Sequence, residues 1–274
     1  DKAAASVARN PKTKVMPLVF QEGFDPAVMH TILSSVEVQN RIADQLVSEA
    51  QLKGYAGWQF DFEHIMASDR DAYSSFVELV AKRLHEHNAS KLILSVAVIA
   101  RTSEKPSDLP EGSWDNWAGV FDYSRIGKAA DFVTLMAYDM PASKGPVASI
   151  AWVKKTLAYL EKSVPRSKIS LGIATYGWLW NTDTNKRVKS TGYDRVLELV
   201  VNKLYDKKGF DAASQSAWIT YTDRSGSRPV HYKLWYQDVR SFRAAYSLAK
   251  SHRLRGISVW VIGMEDGEIW KNLK

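Results

Sequence analysis

The chain has 274 residues, of which 45% are hydrophobic, and this suits one large α/β domain with a sizeable core. It contains no cysteine, which excludes disulfides, thiolate metal ligands and a cysteine nucleophile. The net charge of +7 comes from scattered lysines and arginines, which indicate a solvated surface first and an anionic partner only second.

Apolar strand-like runs alternate along the chain with amphipathic helical stretches. In chain order we predict strand 15–20, helix 35–53, strand 58–62, helix 72–87, strand 92–99, strand 132–138, helix 149–163, strand 169–175, helix 239–252 and strand 256–261. This alternation, with nearly continuous apolar strands, predicts a parallel sheet covered by helices. Most of the predicted strands end in a polar or aromatic cluster, where such folds carry their chemistry.

One long segment interrupts the alternation between Tyr176 and the last predicted strand. It contains a helical stretch at 193–205 and a predicted hairpin, 217–222 and 231–236, around a Ser- and Gly-containing turn at 223–227. We predict that a small α+β insertion occupies about residues 181–238 of a single domain spanning residues 1–274.

Two acids stand on the apolar strand predicted at 58–62. Gln59, Asp61 and Glu63 have the same parity, so their side chains point to one face of a strand. Aspartate and glutamate are poor strand formers and are costly to bury without a partner. The pattern indicates a functional site, and the alternative is an ion pair or a cap at a strand end.

Three later strand ends add residues to this pattern: Met136, Tyr138 and Asp139 end one strand, Tyr176 another and Trp260 the last. At this point the chain resembles the family 18 glycoside hydrolases, which are chitinase-like (β/α)8 barrels. Their signature is D-x-x-D-x-D-x-E at the end of the fourth strand, followed by M-x-Y-D, Y-G and a terminal tryptophan. The resemblance covers residue 15 to the C-terminus.

Three further motifs resemble a bacterial subgroup that includes spore-cortex N-acetylglucosaminidases. They are G-P-V at 145–147, L-W-Y-Q-D at 234–238 and G-M-E-D-G-E-I-W at 263–270. Within the family, the resemblance therefore makes peptidoglycan the first expected substrate and chitin the second. The runner-up is a non-catalytic chitinase-like lectin, against which the presence of Glu63 argues.

The resemblance implies a retaining glycosidase in which the 2-acetamido oxygen of the substrate is the nucleophile. Glu63 matches the general acid, and Asp61 matches the residue that orients the acetamido N–H and stabilises the oxazolinium intermediate. Tyr138 matches the hydroxyl that hydrogen-bonds the acetamido oxygen. The remaining substrate-binding residues are expected to be Gln59, Met136, Asp139, Tyr176 and Trp260, with Trp260 as the floor beneath the sugar.

Two positions of the signature depart from the family pattern. Ala56 and Gln59 stand where the family has its first and second aspartates. Gln59 removes a carboxylate next to Asp61, but an amide at this position can still hydrogen-bond Asp61, so we expect activity to survive with a shifted pH profile. The number of predicted strands also falls short of the eight in a (β/α)8 barrel. We count six, interpret residues 1–10 as the end of the helix before the third strand, and expect the native protein to contain the absent N-terminal strands.

Several aromatic residues have alternative interpretations. Tyr138 and Tyr176 could pack in the barrel interior, and Trp260 could be a core residue. Four tryptophans between Tyr176 and Asp238 could line the cleft or pack in the core of the insertion, namely Trp178, Trp180, Trp218 and Trp235. For Asp238 we slightly prefer the cap of the helix that begins at residue 239 over a contact with sugar.

The expected partner is therefore an N-acetylglucosamine-containing polysaccharide. The sequence has no motif of interleaved basic and aromatic residues that would indicate binding to nucleic acid. No apolar run approaches the roughly 18 to 20 residues of a membrane helix. We expect no metal and no cofactor, a monomer, and a secreted or cell-envelope location, although the N-terminal residues of this sequence contain no hydrophobic signal segment.

Overall fold

The computed structural model describes residue 10 and residues 12–86, 92–141 and 144–273. Residue 87 of one predicted helix and nearly all of the helix end predicted at 1–10 lie outside these residues. The helices are α1 (Pro26–Leu33), α2 (Val36–Lys53), α3 (Arg70–Glu86), α4 (Tyr123–Ala129), α5 (Ile150–Leu160), α6 (Tyr193–Val201) and α7 (Val239–Ser251). None of these described helices is both long enough and apolar enough to cross a bilayer.

The strands form two sheets. In chain order they are β1 (Leu18–Val19), β2 (Gly57–Phe60), β3 (Ile93–Ile99), β4 (Phe132–Met136), β5 (Ile169–Ala174), β6 (Gly177–Asn181), β7 (Lys186–Thr191), β8 (Lys207–Asp211), β9 (Ser216–Asp223), β10 (Val230–Tyr236) and β11 (Gly256–Trp260). A six-stranded parallel sheet has the order β1-β2-β3-β4-β5-β11, and a five-stranded antiparallel sheet has the order β7-β6-β10-β9-β8. Within the described residues the parallel sheet thus has six of the eight strands that a (β/α)8 barrel requires.

All six predicted parallel strands are present, but the first is much shorter than the predicted 15–20. The carbonyls of Val15, Pro17 and Val19 still accept hydrogen bonds from the amides of the neighbouring segment at 2.8–2.9 Å. Proline has no amide hydrogen, so Pro17 cannot donate back to the ladder. The regular two-way pairing is therefore limited to Leu18 and Val19.

The chain divides into two compact units. The first comprises Asp1–Leu135 with Leu160–Ile169, and the second comprises Met136–Tyr159 with Ser170–Lys274.

In the first unit, two glycines set the path of the chain into β2. Gly54 ends α2 in the left-handed conformation, with φ of 68°, and its amide bonds the carbonyl of Ala50. Gly57 begins β2 with φ of 144°, and a β-carbon there would lie 1.8 Å from the carbonyl oxygen of Ile93. Only glycine therefore fits at the point where β2 meets β3.

The apolar residues of β2 anchor the strand in the core of the first unit. Phe60 is fully buried and stacks on Phe76 of α3, with ring centroids 5.8 Å apart. The indole N–H of Trp58 donates to the carbonyl of Leu46 in α2 at 2.9 Å. Strand β2 is thus held from the helical side, and the residues that follow it start from a fixed position.

In the second unit, the predicted hairpin is confirmed as β9 and β10, which pair from Val230 opposite Asp223 to Tyr236 opposite Ala217. The other three strands of this sheet, β6, β7 and β8, are absent from the sequence prediction. Strand β7 is exposed along five of its six residues and β8 begins with two lysines, so neither has the apolar alternation of a half-buried strand. Helix α6 ends at Val201, four residues before the predicted end.

Strands β5 and β11 form a parallel pair in the second unit, in register from Gly256 opposite Ser170 to Trp260 opposite Ala174. The helix before β11, α7, begins after Asp238, whose side chain accepts hydrogen bonds from the amides of Arg240 and Ser241 at 3.0 Å. The preferred interpretation of Asp238 as a helix cap is confirmed.

Candidate active site

The predicted site residues fall into two groups, one in each unit. Gln59, Asp61 and Glu63 belong to the first unit, and the second unit contains Met136, Tyr138, Asp139, Tyr176 and Trp260.

In the first unit, Asp61 and Glu63 directly follow β2. The strand ends at Phe60 and not at residue 62 as predicted, although the amide of Asp61 still bonds the carbonyl of Val19 at 2.9 Å. The chain then turns at His64, which has a left-handed φ of 54°. Gln59 lies in the strand proper, in register with Ser95 of β3, and is partly exposed.

Asp61 is a buried carboxyl group with an unusual titration. The residue is 8% exposed, and its Oδ1 atom has no hydrogen-bond partner among the described residues. Burial disfavours the charged form and the nearby Glu63 carboxylate disfavours it further, so the pKa of Asp61 rises to about 6. Asp61 can therefore gain and lose a proton near neutral pH.

Glu63 is held by residues that are distant in sequence. Its Oε2 accepts a hydrogen bond from the indole N–H of Trp117 at 2.9 Å, across 54 residues. Its backbone carbonyl accepts a hydrogen bond from the side-chain amide of Gln21. Sequence reasoning missed both residues, because neither belongs to a local motif with Glu63.

The exposed ring of His64, the residue after Glu63, packs against two aromatic rings. It stacks on Trp117, with centroids 6.3 Å apart and an interplanar angle of 16°, and it meets the ring of Phe24 edge-on at 6.3 Å. His64 thus packs beside the residue that binds Glu63.

In the second unit, Tyr138, Asp139 and Tyr176 form one cluster. The hydroxyl of Tyr176 donates to Oδ1 of Asp139 at 2.6 Å, and the rings of Tyr138 and Tyr176 meet at 6.5 Å and 73°. Burial raises the pKa of Asp139, although the hydrogen bond from Tyr176 and the charge of Arg187 act in the opposite direction. Burial also raises the pKa of Tyr176 well above its usual value.

The other two predicted residues of the second unit differ in exposure. Met136 is the last residue of β4 and is buried. Trp260 is the last residue of β11 and is 42% exposed, so its interpretation as a core residue is wrong for the described structure. The peptide bond that follows Trp260 is cis.

Three of the four tryptophans between Tyr176 and Asp238 are core residues. Trp178, Trp180 and Trp235 are at most 9% exposed and pack together around the fully buried Val147. The indole N–H groups of Trp180 and Trp235 donate to the carbonyls of Gly145 and Lys144 at 3.0 and 3.1 Å. Packing is therefore the correct interpretation for these three, while Trp218 is only partly buried beside them.

The described residues contain no group of three or more histidine, cysteine, aspartate or glutamate side chains close enough to hold a metal ion.

Comparison with known proteins identifies the family. Residues 2–265 match the sequence profile of Glycosyl hydrolases family 18, and the chain belongs to this family of glycosidases.

Among curated relatives, the uncharacterized glycosylase YvbX of Bacillus subtilis is 29% identical over 254 residues, which are 92% of this chain and 70% of YvbX. The crystal structure of the spore cortex-lytic enzyme SleL of Bacillus megaterium matches with a TM-score of 0.84 and 27% identity, over 99% of this chain and 61% of SleL. A chitinase of Chromobacterium violaceum matches with a TM-score of 0.83 and 27% identity, over 98% of this chain and 81% of the chitinase. The chain thus spans less than two thirds of SleL.

Proposed function

We propose that this protein is a retaining glycosidase that cleaves β-linked N-acetylglucosamine glycans with the help of the substrate's own acetamido group. The observation that supports this most directly is the pair of carboxyl groups after β2. Asp61 is buried with a pKa of about 6, and Glu63 lies two residues on with one oxygen held by Trp117. Membership of a glycosidase family supports the same reaction class.

In the first step, Glu63 transfers its proton to the glycosidic oxygen while the bond from that oxygen to the anomeric carbon breaks. The acetamido oxygen forms a new bond to the anomeric carbon, which gives an oxazolinium ion. The Asp61 carboxylate accepts the acetamido N–H hydrogen bond and stabilises the positive charge of this ion. We propose that the hydroxyl of Tyr138 donates to the acetamido oxygen and orients it for attack.

In the second step, a water molecule attacks the anomeric carbon, the bond to the acetamido oxygen breaks, and the Glu63 carboxylate takes a proton from the water. Two displacements at the same carbon leave the product in the β configuration of the substrate. Gln59, Met136, Asp139 and Tyr176 are proposed to be substrate-binding residues that contact the sugar. Trp260 is proposed to stack on the sugar, because its exposed indole offers an apolar face.

For the substrate we propose peptidoglycan first and chitin-type oligosaccharides second. The name of the related SleL as a spore cortex-lytic enzyme supports a cell-wall glycan, and the name of the related chitinase supports the second class. The net charge of +7 also favours an acidic wall polymer. We further propose a single (β/α)8-type domain, with residues 181–238 as its insertion, that acts as a monomer at the cell envelope.

The test compares Glu63→Gln with the unchanged protein on peptidoglycan and on N-acetylglucosamine oligomers, with product anomers followed by NMR. Glutamine keeps the shape of the side chain but has no acidic proton to transfer, so we expect kcat to fall by about 10²–10⁴-fold. Glu37→Gln is the matched control, because Glu37 is an exposed residue of α2 and should leave the rate unchanged. Equal turnover by Glu63→Gln would exclude the assigned acid, and α-configured first products would exclude retention. Binding without cleavage by the unchanged protein would indicate a lectin.

A further inference from the structure

We propose that Trp117 is a positioning residue for the proton donor, and that its indole N–H determines which oxygen of Glu63 carries the transferred proton. The inference rests on the proposed function, since it requires Glu63 to be the acid. It adds a residue that lies outside the strand-end motifs and reaches the acid from a separate segment of the chain.

The contact itself restricts the proton to one oxygen. Nε1 of Trp117 lies 2.9 Å from Oε2 of Glu63, and an indole N–H can only donate and does not titrate. A carboxyl oxygen that already bears a hydrogen is the weaker acceptor of the two. The hydrogen bond from Trp117 thus favours the form of Glu63 in which Oε1 bears the proton and Oε2 accepts.

The same hydrogen bond stabilises the state that follows proton transfer. When Glu63 gives up its proton, negative charge develops on the carboxylate that Trp117 already contacts. Hydrogen bonds to charged acceptors are stronger than those between neutral groups. Because the donor is in place before the charge develops, it requires no rearrangement during the reaction.

The backbone of Glu63 is restrained independently of its carboxylate. The side-chain amide of Gln21, a residue that is 4% exposed, donates to the backbone carbonyl of Glu63. Both the main chain and one carboxyl oxygen of the acid are therefore held by hydrogen bonds. The remaining rotational freedom of the side chain is small, which is what a proton donor aimed at one glycosidic oxygen requires.

The turn that carries Trp117 is itself well supported. Trp117 lies in a short π-helical turn, Trp114–Ala118, next to the fully buried Ala118. The side chain of Arg101, which is 1% exposed, donates to the carbonyls of Ala118 and Phe121 at 2.7 Å. Arg70 donates to the carbonyl of Gly119 at 2.6 Å. These bonds fix the backbone on both sides of the turn's end, so the indole starts from a rigid base.

The competing explanation is that Trp117 only fills space beside His64. A packing role would be met by any large aromatic ring, whereas the proposed role needs the N–H. Trp117→Phe removes the donor and keeps an aromatic ring. Trp114→Phe is the matched control, since Trp114 occupies the same turn and faces the guanidinium of Arg101 at 5.6 Å.

The experiment exploits the dependence of acid catalysis on the leaving group. A sugar leaving group needs a proton, while 2,4-dinitrophenolate leaves readily without one. We would measure kcat/KM for N-acetylglucosamine oligomers and for the 2,4-dinitrophenyl β-glycoside of N,N′-diacetylchitobiose. We expect Trp117→Phe to lose roughly tenfold or more on the oligomers and less than about twofold on the dinitrophenyl glycoside. Glu63→Gln should show the same selectivity with a larger loss.

An equal loss on both substrates, or no loss on the oligomers, would overturn the positioning role. Trp114→Phe should show no difference between the two substrates. If Trp117→Phe does not fold, β-(3-benzothienyl)alanine at position 117 replaces only the N–H by sulfur and is judged by the same criterion. If Glu63→Gln keeps full activity on the oligomers, the proposed function fails, and that result is distinct from failure of Trp117 alone.

Discussion

The hydroxyl of Tyr176 donates a hydrogen bond to Oδ1 of Asp139 with 2.6 Å between the oxygens, inside a cluster where both groups resist ionisation. Tyr176 lies two residues after the end of β5 and directly before β6, and Asp139 has a left-handed φ of 54°. Each residue therefore depends on the local backbone to reach the other. Burial raises the pKa of Asp139, and the hydrogen bond from Tyr176 lowers it, so the hydrogen bond favours the carboxylate form of Asp139.

Tyr176→Phe tests this relationship by removing only the hydroxyl. Because the hydrogen bond lowers the pKa of Asp139 while burial raises it, we expect that pKa to rise further in the variant. The Asp139 carboxyl carbon, followed by ¹³C NMR as a function of pH, reports the shift. Tyr232→Phe, at a tyrosine that stacks on Tyr221 elsewhere in the same unit, should leave the titration of Asp139 unchanged. A lower pKa in Tyr176→Phe would contradict the assignment.

The raised pKa of Asp61 predicts how stability depends on pH. The folded state holds the Asp61 proton up to about pH 6, whereas the unfolded chain releases it near the ordinary value of 3.8. Between these values the folded state binds more protons, so stability falls as pH rises through this window, by up to about 3 kcal/mol. Asn at this position cannot ionise.

We therefore expect Asp61→Asn to lose about 3 kcal/mol less stability than the unchanged protein between pH 3.5 and pH 7.5. Urea unfolding at the two pH values measures the difference. Asp71→Asn serves as the control, because the Asp71 side chain is 92% exposed and should not alter the pH dependence. Parallel pH dependences for Asp61→Asn and the unchanged protein would show that Asp61 is not the group responsible.

Gly57→Ala should be strongly destabilising. Its β-carbon would lie 1.8 Å from the carbonyl oxygen of Ile93, and φ of 144° is unfavourable for any other residue. We expect a loss of at least about 3 kcal/mol in the free energy of unfolding. Gly256→Ala is the matched control, since Gly256 also begins a strand, but no atom lies within 4 Å of its added β-carbon. A loss below 1 kcal/mol for Gly57→Ala would be inconsistent with the described contact between β2 and β3.

Trp260→Ala separates binding from stability. The indole is 42% exposed, so its removal should change the melting temperature little, while loss of sugar stacking should raise KM about tenfold. Trp270→Ala removes a second exposed tryptophan, which is 41% exposed and donates to Glu265 instead. The proposed role of Trp260 requires that KM respond to the first substitution and not to the second.

The parts of the fold and of the candidate site that could be predicted are those with a local sequence pattern. Asp61 and Glu63 were evident because two acids interrupt an apolar strand, and the hairpin of β9 and β10 was evident from its alternation and its turn. Strand β7 was missed because an exposed edge strand carries charged residues that resemble a loop. The partner of Glu63 was missed for a different reason. No pattern links position 63 to Trp117, and only the folded path of the chain brings them together.

The tryptophans between Tyr176 and Asp238 show a second limit of sequence reasoning. An indole is equally suited to binding a sugar and to filling a core, and the sequence alone does not distinguish the two roles. What decided the matter for Trp180 and Trp235 was that their N–H groups meet the carbonyls of Gly145 and Lys144. Those acceptors lie far away in sequence, so the outcome was a property of tertiary structure.

That pair of indole contacts also constrains how the protein could evolve or be engineered. They tie β6 and β10 to the segment at 144–147, and Met140 closes the same loop by donating its amide to the carbonyl of Val147 at 2.8 Å. Asp139 immediately precedes this loop. The antiparallel sheet therefore supports the loop that follows Asp139, a proposed substrate-binding residue. Replacing the antiparallel sheet by a different insertion while keeping residues 144–147 would remove these contacts and leave the loop unsupported. The sheet and residues 144–147 should therefore be exchanged only together.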